Sequence, residues 1–150
     1  MDFNEFVSRV KEFEGLRLKP YMCPSGVLTV GYGHTHGVVE GMVLTPVIAH
    51  DFLLYDIQIC LEQLYTLHPH IIIGSGLYYA LIDFIFNVGF TKYKNSTLKK
   101  IVDSIKDYNN LTEIDINSLT GQFLLWTKSN GQTLRGLEKR RMFEISLLRE

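Results

Sequence analysis

Several things are scarce in this sequence, and each scarcity closes a door. Two cysteines in 150 residues, Cys23 and Cys60, cannot staple a fold that lacks a core, which excludes a disulfide scaffold. Four prolines, with no repeat and no serine- or charge-rich tract, leave no long linker or low-complexity region. Long apolar runs are missing as well. The most apolar stretch, Ile71 to Phe86, is interrupted by Gly74, Ser75, Gly76 and Asp83, and it falls short of the roughly 20 residues that cross a bilayer. It reads as a buried helix, and no stable membrane insertion is expected. The amino-terminal MDFNEFVSRVKEFEG is amphipathic and charged, unlike the continuous apolar centre of a secretory signal. Synthesis in the cytosol, with no export device of its own, is the expectation. Nor is there an excess of one charge: 15 basic and 16 acidic residues give a net charge of −1, which argues against a strongly basic surface for nucleic acid.

What is present suits an ordinary soluble domain. Hydrophobic residues make up 46% and charged residues 21%, close to globular averages. A chain of this length buries about two-thirds of the surface its unfolded form exposes. Phe3, Phe6, Val7, Val10 and Phe13 recur at helical spacing after Asp2 and Glu5, a capping-box pattern, and Gly15 stops the helix. Pro20, Pro24, Gly26, Gly31 and Gly33 then punctuate residues 16–37, which predicts short strands and tight turns, the one β-like region. Thr45-Pro46 looks like an N-cap followed by proline in the first helical position. Ile48, Phe52, Leu53, Ile57, Leu61 and Leu64 continue that helix until Pro69. Further helices are expected over Leu77–Val88, from about Ser96 to Asp107, around Leu119–Lys128, and in the Arg-rich end. The plan is α+β and mainly helical: a β-containing lobe over about 15–45, a connecting helix over about 45–67, and a helical lobe over about 68–150 that includes the N-terminal helix. A cleft between such lobes is the natural place for a substrate.

The residues able to do chemistry cluster early. Glu14 ends an apolar helix beside Phe13, where partial desolvation raises a carboxyl pKa and suits it to donate a proton; a glutamate at a helix end is, however, most often a solvated surface group. Thr29 alone is an ordinary strand threonine, and Cys23 alone is a small, partly buried apolar residue or a nucleophile. What promotes them is their order in FEGLRLKPYMCPSGVLTVGYGHT: glutamate, eight residues, cysteine, five residues, threonine, then Gly31-Tyr32-Gly33-His34-Thr35.

That pattern resembles the catalytic region of the phage-type lysozymes, glycoside hydrolase family 24, whose middle position is an aspartate or in some members a cysteine. The resemblance extends over nearly the whole chain. Ala80–Gly89 looks like the family's buried helix with its Phe-Asn-x-Gly ending, Asn95-Ser96-Thr97-Leu98 like its next helix start, and Trp126, Gly136-Leu137 and Arg140-Arg141 like its C-terminal part. It implies a lysozyme-like fold and hydrolysis of the β-1,4 linkage between N-acetylmuramic acid and N-acetylglucosamine in bacterial peptidoglycan, causing host lysis. Glu14 would be the general acid and Thr29 would position a water or stabilise the second step. Cys23 would stand where a carboxylate is usual. A free thiol has a pKa near ~8.5, so only a few per cent is thiolate at neutral pH unless the site lowers it.

The same resemblance pairs His34 with Asp56 on the long helix; a second-base role for His34 is the other reading. Such a pair raises the histidine pKa and lowers the aspartate's. Glycan contacts are expected at Tyr32, Thr35, Phe86, Asn87, Asn95 and Ser96, although a phenylalanine in an apolar helix, as Phe86 is, is more often core than ligand wall. His36, His50, His68 and His70 show no metal-ligand spacing, so neither metal nor cofactor is implied. Arg135, Lys139, Arg140, Arg141 and Arg149, diluted by Glu138, Glu144 and Glu150, are either a solvated helix face or a wall-binding patch. A monomer held in the host cytoplasm until a separate holin-like protein permeabilises the membrane, then acting at the periplasm and cell wall, fits these features. The competing reading is a catalytically impaired wall-binding or regulatory protein that keeps the fold, motivated by cysteine in the aspartate position.

Overall fold

A computed structural model describes all 150 residues. In chain order they form α1 (Phe3–Glu14), β1 (Arg17–Met22), β2 (Leu28–Gly31), α2 (Pro46–Leu67), α3 (Gly76–Val88), α4 (Phe90–Lys94), α5 (Thr97–Ser104), α6 (Glu113–Phe123), β3 (Lys128–Ser129), β4 (Gln132–Thr133) and α7 (Arg135–Leu147). The chain divides into two compact units, Asn4–Ile59 and Met1–Phe3 with Cys60–Glu150, and the division falls inside α2. No helix is long and apolar enough to cross a membrane.

In the unit Asn4–Ile59, α1 buries Phe6, Val7 and Val10. β1 and β2 pair antiparallel, Tyr21 opposite Thr29 and Met22 opposite Leu28. The register slips between Arg17 and Tyr21, where Pro20 lacks the N–H that a regular ladder would need. Val30, Leu44 and Ala49 form a small core with Leu18, Tyr32, Val38, Met42 and Phe52 against it. α2 starts as its sequence predicts, the Thr45 hydroxyl accepting from the Ile48 amide at 3.2 Å. It runs for 22 residues. Its buried positions Ala49, Leu53, Ile57, Cys60 and Leu64 follow the three-to-four spacing of one helix face.

The unit that holds residues 60–150 is organised by α3, buried along most of its length. Ser75 caps it, its hydroxyl accepting from the Tyr78 amide at 3.2 Å. Gly76 is obligatory, since a Cβ there would collide with the Leu147 carbonyl of α7. Phe84 is the hub of an aromatic cluster, meeting Tyr93, Phe123 and Trp126 edge to face with centroids 6.1, 5.4 and 5.2 Å away. His68 is a core histidine satisfied by the Tyr93 hydroxyl at 2.8 Å.

Three expectations change. The helix expected around Leu119–Lys128 is α6, Glu113–Phe123. It starts earlier because Thr112 and Asp115 form a reciprocal capping box. The expectation of a single β-like region is also corrected: β3 and β4 make a second hairpin, closed by Asn130 and Gly131 at φ of 49° and 78°, the Asn-Gly turn that suits strand twist. The helix expected over Ser96–Asp107 is shorter, Thr97–Ser104, with Ser96 as its N-cap.

In the Arg-rich end Arg135, Lys139 and Arg149 are exposed, but Arg140 and Arg141 depart from both readings. Arg140 and Arg141 are 4% and 0% exposed, so they are neither a solvated face nor a surface patch. Arg140 grips Asp83 of α3 through Nε at 2.9 Å and Nη2 at 2.8 Å. Arg141 donates to Glu144 at 2.7 Å and to Asn87 at 2.9 Å. Burying charges is costly, and such a pair is far more costly to halve than to replace outright. Arg140→Met should therefore destabilise the protein by about 3–5 kcal/mol. The double variant Asp83→Leu with Arg140→Met should recover most of that loss in denaturant unfolding.

Candidate active site

Glu14, Cys23 and Thr29 all lie in the Asn4–Ile59 unit. Glu14 is the last residue of α1 and is half-buried. Gly15 follows it with φ of 69°, a left-handed turn that ends the helix without a Cβ penalty. The Glu14 carboxylate lies against Gly33: a Cβ built on Gly33 would come within 3.2 Å of Glu14 Oε2, and Gly33 itself has φ of 91°. The left-handed backbone favours glycine there, and any side chain would press on the Glu14 carboxylate.

Gly33 is held in place by a closed loop. Val30 and His34 exchange both backbone hydrogen bonds at 2.9 Å, leaving Gly31, Tyr32 and Gly33 as its tip. His34 is 5% exposed, and its Nδ1 sits 2.8 and 3.0 Å from the two carboxylate oxygens of Asp56 on α2. Phe52, one turn earlier, packs on the imidazole at 4.4 Å between centroids. With the ring occupied on one edge and one face, the geometry fits a structural histidine better than a second base. One element of the expected pairing reverses. Burial pushes the Asp56 carboxyl above its ordinary value, outweighing the lowering pull of His34 and His36.

Cys23 opens the turn between β1 and β2 and is half-exposed. Its sulphur is 2.8 Å from the Ser25 hydroxyl. The turn is tied by Gly26 N–H to the Cys23 carbonyl and Cys23 N–H to the Val27 carbonyl, at 2.8 and 3.0 Å. The thiol pKa is lowered to about 7, first by the Ser25 hydroxyl and then by the Val27 backbone, with the Thr29 hydroxyl adding to the same effect. At neutral pH roughly half of the population is then thiolate. Thr29, 4% exposed, donates its hydroxyl to the Val27 carbonyl at 3.0 Å. Its one proton serves that carbonyl or the Cys23 sulphur, not both. Ser25 is the participant that the sequence did not disclose, since a serine in a turn has no signal of its own until the sulphur is placed beside it.

The remaining positions fall into two groups. Tyr32 is half-buried, with the Lys11 ammonium 5.4 Å from its ring, and Thr35 is exposed. In the other unit, Phe86 is half-buried with the Arg140 guanidinium 5.9 Å from its ring. Asn87 accepts from Arg141. Asn95 is exposed and closes α4, its Nδ2 donating to the Thr91 carbonyl at 3.0 Å. Ser96 is 7% exposed; its hydroxyl donates to the Tyr93 carbonyl at 2.6 Å and accepts from the Lys99 amide at 3.0 Å. Those two bonds are what an N-cap makes, and they leave Ser96 little capacity for a sugar.

Comparison with known proteins points the same way as the motif. The phage lysozyme family model matches residues 11–144. An endolysin of Acyrthosiphon pisum secondary endosymbiont phage 1 is 37% identical over 142 residues, 92% of this chain and 90% of that protein. A SAR-endolysin of Bacteriophage PS34 is 30% identical over 138 residues, 87% of this chain and 73% of that protein. Among solved structures, the muramidase domain of SpmX from Asticaccaulis excentricus superimposes with a TM-score of 0.79 at 30% identity, covering 96% of this chain and 94% of that one.

Two measurements check the electrostatics. The alkylation rate of Cys23 should rise with a midpoint near pH 7, while Cys60, buried on α2, reacts slowly; a Cys23 midpoint near that of an ordinary thiol would refute the lowered value. Asp56 holds its proton more tightly folded than unfolded, so its contribution to stability is present below the ordinary value of 3.8 and is lost as pH rises through the raised one. The unfolding free energy of the parent minus that of Asp56→Asn should fall as pH climbs through that window. A difference that grew instead would mean that ion pairing with His34 prevails over burial.

Proposed function

Since this chain belongs to the phage lysozyme family and is a peptidoglycan-hydrolysing muramidase of the endolysin type, we propose that Glu14 is its general acid and that Cys23 and Thr29 complete the reaction. The observation that carries this reading is the seating of the Glu14 carboxylate over Gly33, in the same unit as a cysteine whose thiol ionises near neutrality. Glycoside cleavage needs a proton for the departing oxygen and a second group for the anomeric carbon. Glu14 donates the proton. Cys23, as thiolate, supplies the negative charge that a carboxylate gives elsewhere in the family, by direct attack or by drawing a water forward. Thr29 holds that water or the sulphur through the one hydroxyl proton it can redirect.

The glycan is contacted by Tyr32, Thr35, Phe86, Asn87 and Asn95. His34 and Asp56 are structural. The protein works without metal or cofactor, as a monomer, waits in the host cytoplasm, and reaches the wall when a separate holin-like protein opens the membrane. The catalytically impaired alternative has no observation in its favour: Glu14 and Thr29 are intact, and the Cys23 environment promotes its ionisation.

Glu14→Gln keeps shape and removes the transferable proton, so turbidity clearing of permeabilised Gram-negative cells should slow by about 100-fold or more with thermal unfolding unchanged. A variant that clears at a rate comparable to the parent would sink the role of Glu14. In the same assay Cys23→Asp should stay active and Cys23→Ser should lose most activity, since only the former restores an anion.

A further inference from the structure

We infer that Asn87 meets the glycan only as a hydrogen-bond donor, and that the buried residues Arg141 and Glu144 are the positioning residues that hold it so. The inference rests on the reading of Asn87 as a glycan contact. What the geometry adds is the polarity of that contact and the two side chains that impose it.

The two ends of an asparagine amide differ in kind, and the neighbour decides which end faces where. Here the neighbour is a guanidinium, which donates and never accepts. Arg141 Nη2 lies 2.9 Å from Asn87 Oδ1, so the amide oxygen is turned to the protein. Asn87 is half-buried and its Nδ2 has no partner within the protein. The end left for a ligand therefore offers two N–H donors. Such a group selects acceptors: the carbonyl of an N-acetyl group, a carboxylate, or a ring or bridging oxygen.

Arg141 cannot turn to release the amide. It is 0% exposed, lies over the Phe84 ring at 4.8 Å, and uses the same Nη2 to bond Glu144 Oε1 at 2.7 Å. Its Nε and Nη1 are buried without partners, so Asn87 and Glu144 are all that fix its polar end. Glu144 is itself 0% exposed. Of its two oxygens, one accepts from Arg141 and the other has no donor. Asp83 is the neighbouring carboxylate, already gripped on both oxygens by Arg140. Burial, and next to it the charge of Asp83, push the Glu144 carboxyl well above the ordinary range. A protonated Glu144 fits its neighbours: Oε1 accepts from Arg141, and the proton removes a second negative charge from beside Asp83. Glutamine has that same pattern of one acceptor and one donor.

This predicts an unusual order among variants of the 150-residue chain, assayed on purified sacculi with initial rate measured against substrate concentration. Asn87→Asp keeps the bond to Arg141, as an ion pair, but presents an acceptor where the donor was. Its kcat/KM should fall about 10-fold or more, mainly through KM, with a Tm equal to or above the parent's. Glu144→Gln should keep parental kcat/KM and Tm, whereas Glu144→Leu should lower kcat/KM toward the Asn87→Asp level. If Glu144→Leu does not fold, Asn87→Asp and Glu144→Gln decide the matter alone. Parental kcat/KM in Asn87→Asp would overturn the inference, and so would a loss in Asn87→Asp matched by a lowered Tm, or a loss in Glu144→Gln. Glu14→Gln run in parallel separates the two failures: if it remains as active as the parent, the assignment of the acid fails, whereas if it is inactive and Asn87→Asp is unimpaired, only the donor role fails.

Discussion

Five residues from Val30 to His34 close on themselves, and the arrangement of the proposed acid depends on that closure. The paired backbone bonds between Val30 and His34 force the chain to reverse within three residues, which no sequence does cheaply without positive φ angles. Gly31 and Gly33 supply them, at 66° and 91°. At Gly33 the missing side chain counts a second time, because a Cβ there would come within 3.2 Å of the Glu14 carboxylate. A loop so tight would drift as a body if nothing anchored it. The anchor is His34, clamped by Asp56 and Phe52 of α2. A histidine that sequence alone would allow as a base thus works through position, transmitting the rigidity of a 22-residue helix to the backbone beside Glu14.

The helical unit solves a different problem, that of placing polar groups in an apolar interior. α3 brings Asp83 and Asn87 from one side, and α7 brings Arg140, Arg141 and Glu144 from the other. The spacing Arg140, Glu144, Leu147 puts polar and apolar groups on one helical face, so α7 buries its polar side chains by the same geometry with which other helices bury leucine. Desolvation of such groups is tolerable only when hydrogen bonds are specific, and the bidentate grip of Arg140 on Asp83 has that specificity. The result is directional. A guanidinium that can only donate dictates the orientation of each acceptor it touches, and the interior of this unit thereby decides what one of its half-buried side chains shows to the outside.

How much of this was readable beforehand varies with the range of the cause. Local causes were legible. The Thr45-Pro46 start of α2, the Gly15 stop of α1, the turn-rich stretch that became β1 and β2, and the ordered Glu14, Cys23, Thr29 set are all written within a few residues. α6 starts earlier than expected because the Thr112–Asp115 capping box that opens it lies upstream of Leu119. The Asn130-Gly131 turn went unread because strands of two residues have no periodicity to detect. Arg140 and Arg141 were misread for a deeper reason. Their partners lie 57 and 54 residues away, and in a linear sequence a buried arginine looks the same as a solvated one. The raised Asp56 carboxyl belongs to the same class, since the expected ion pair is present but the desolvation that outweighs it is a property of packing.

The substitution of sulphur for a carboxylate at Cys23 can be weighed on charge alone. An aspartate in an exposed turn is ionised throughout the neutral range, so an enzyme that uses one has its anion whenever the acid partner is ready. An unassisted thiol would not, and the reaction would depend on a small thiolate fraction. The turn around Cys23 closes most of that gap without a nearby cation: the Ser25 hydroxyl and the Val27 backbone lead in bringing its pKa to about 7, and the Thr29 hydroxyl adds to the effect when it turns from the Val27 carbonyl to the sulphur. The compensation is incomplete by design of the chemistry, because a thiolate held by neutral donors still titrates within the range where bacteria live. Under the role proposed for Cys23, the anion that works with Glu14 is itself a function of pH, and the acid limb of activity would follow the thiol, where a carboxylate in its place would leave that limb much lower.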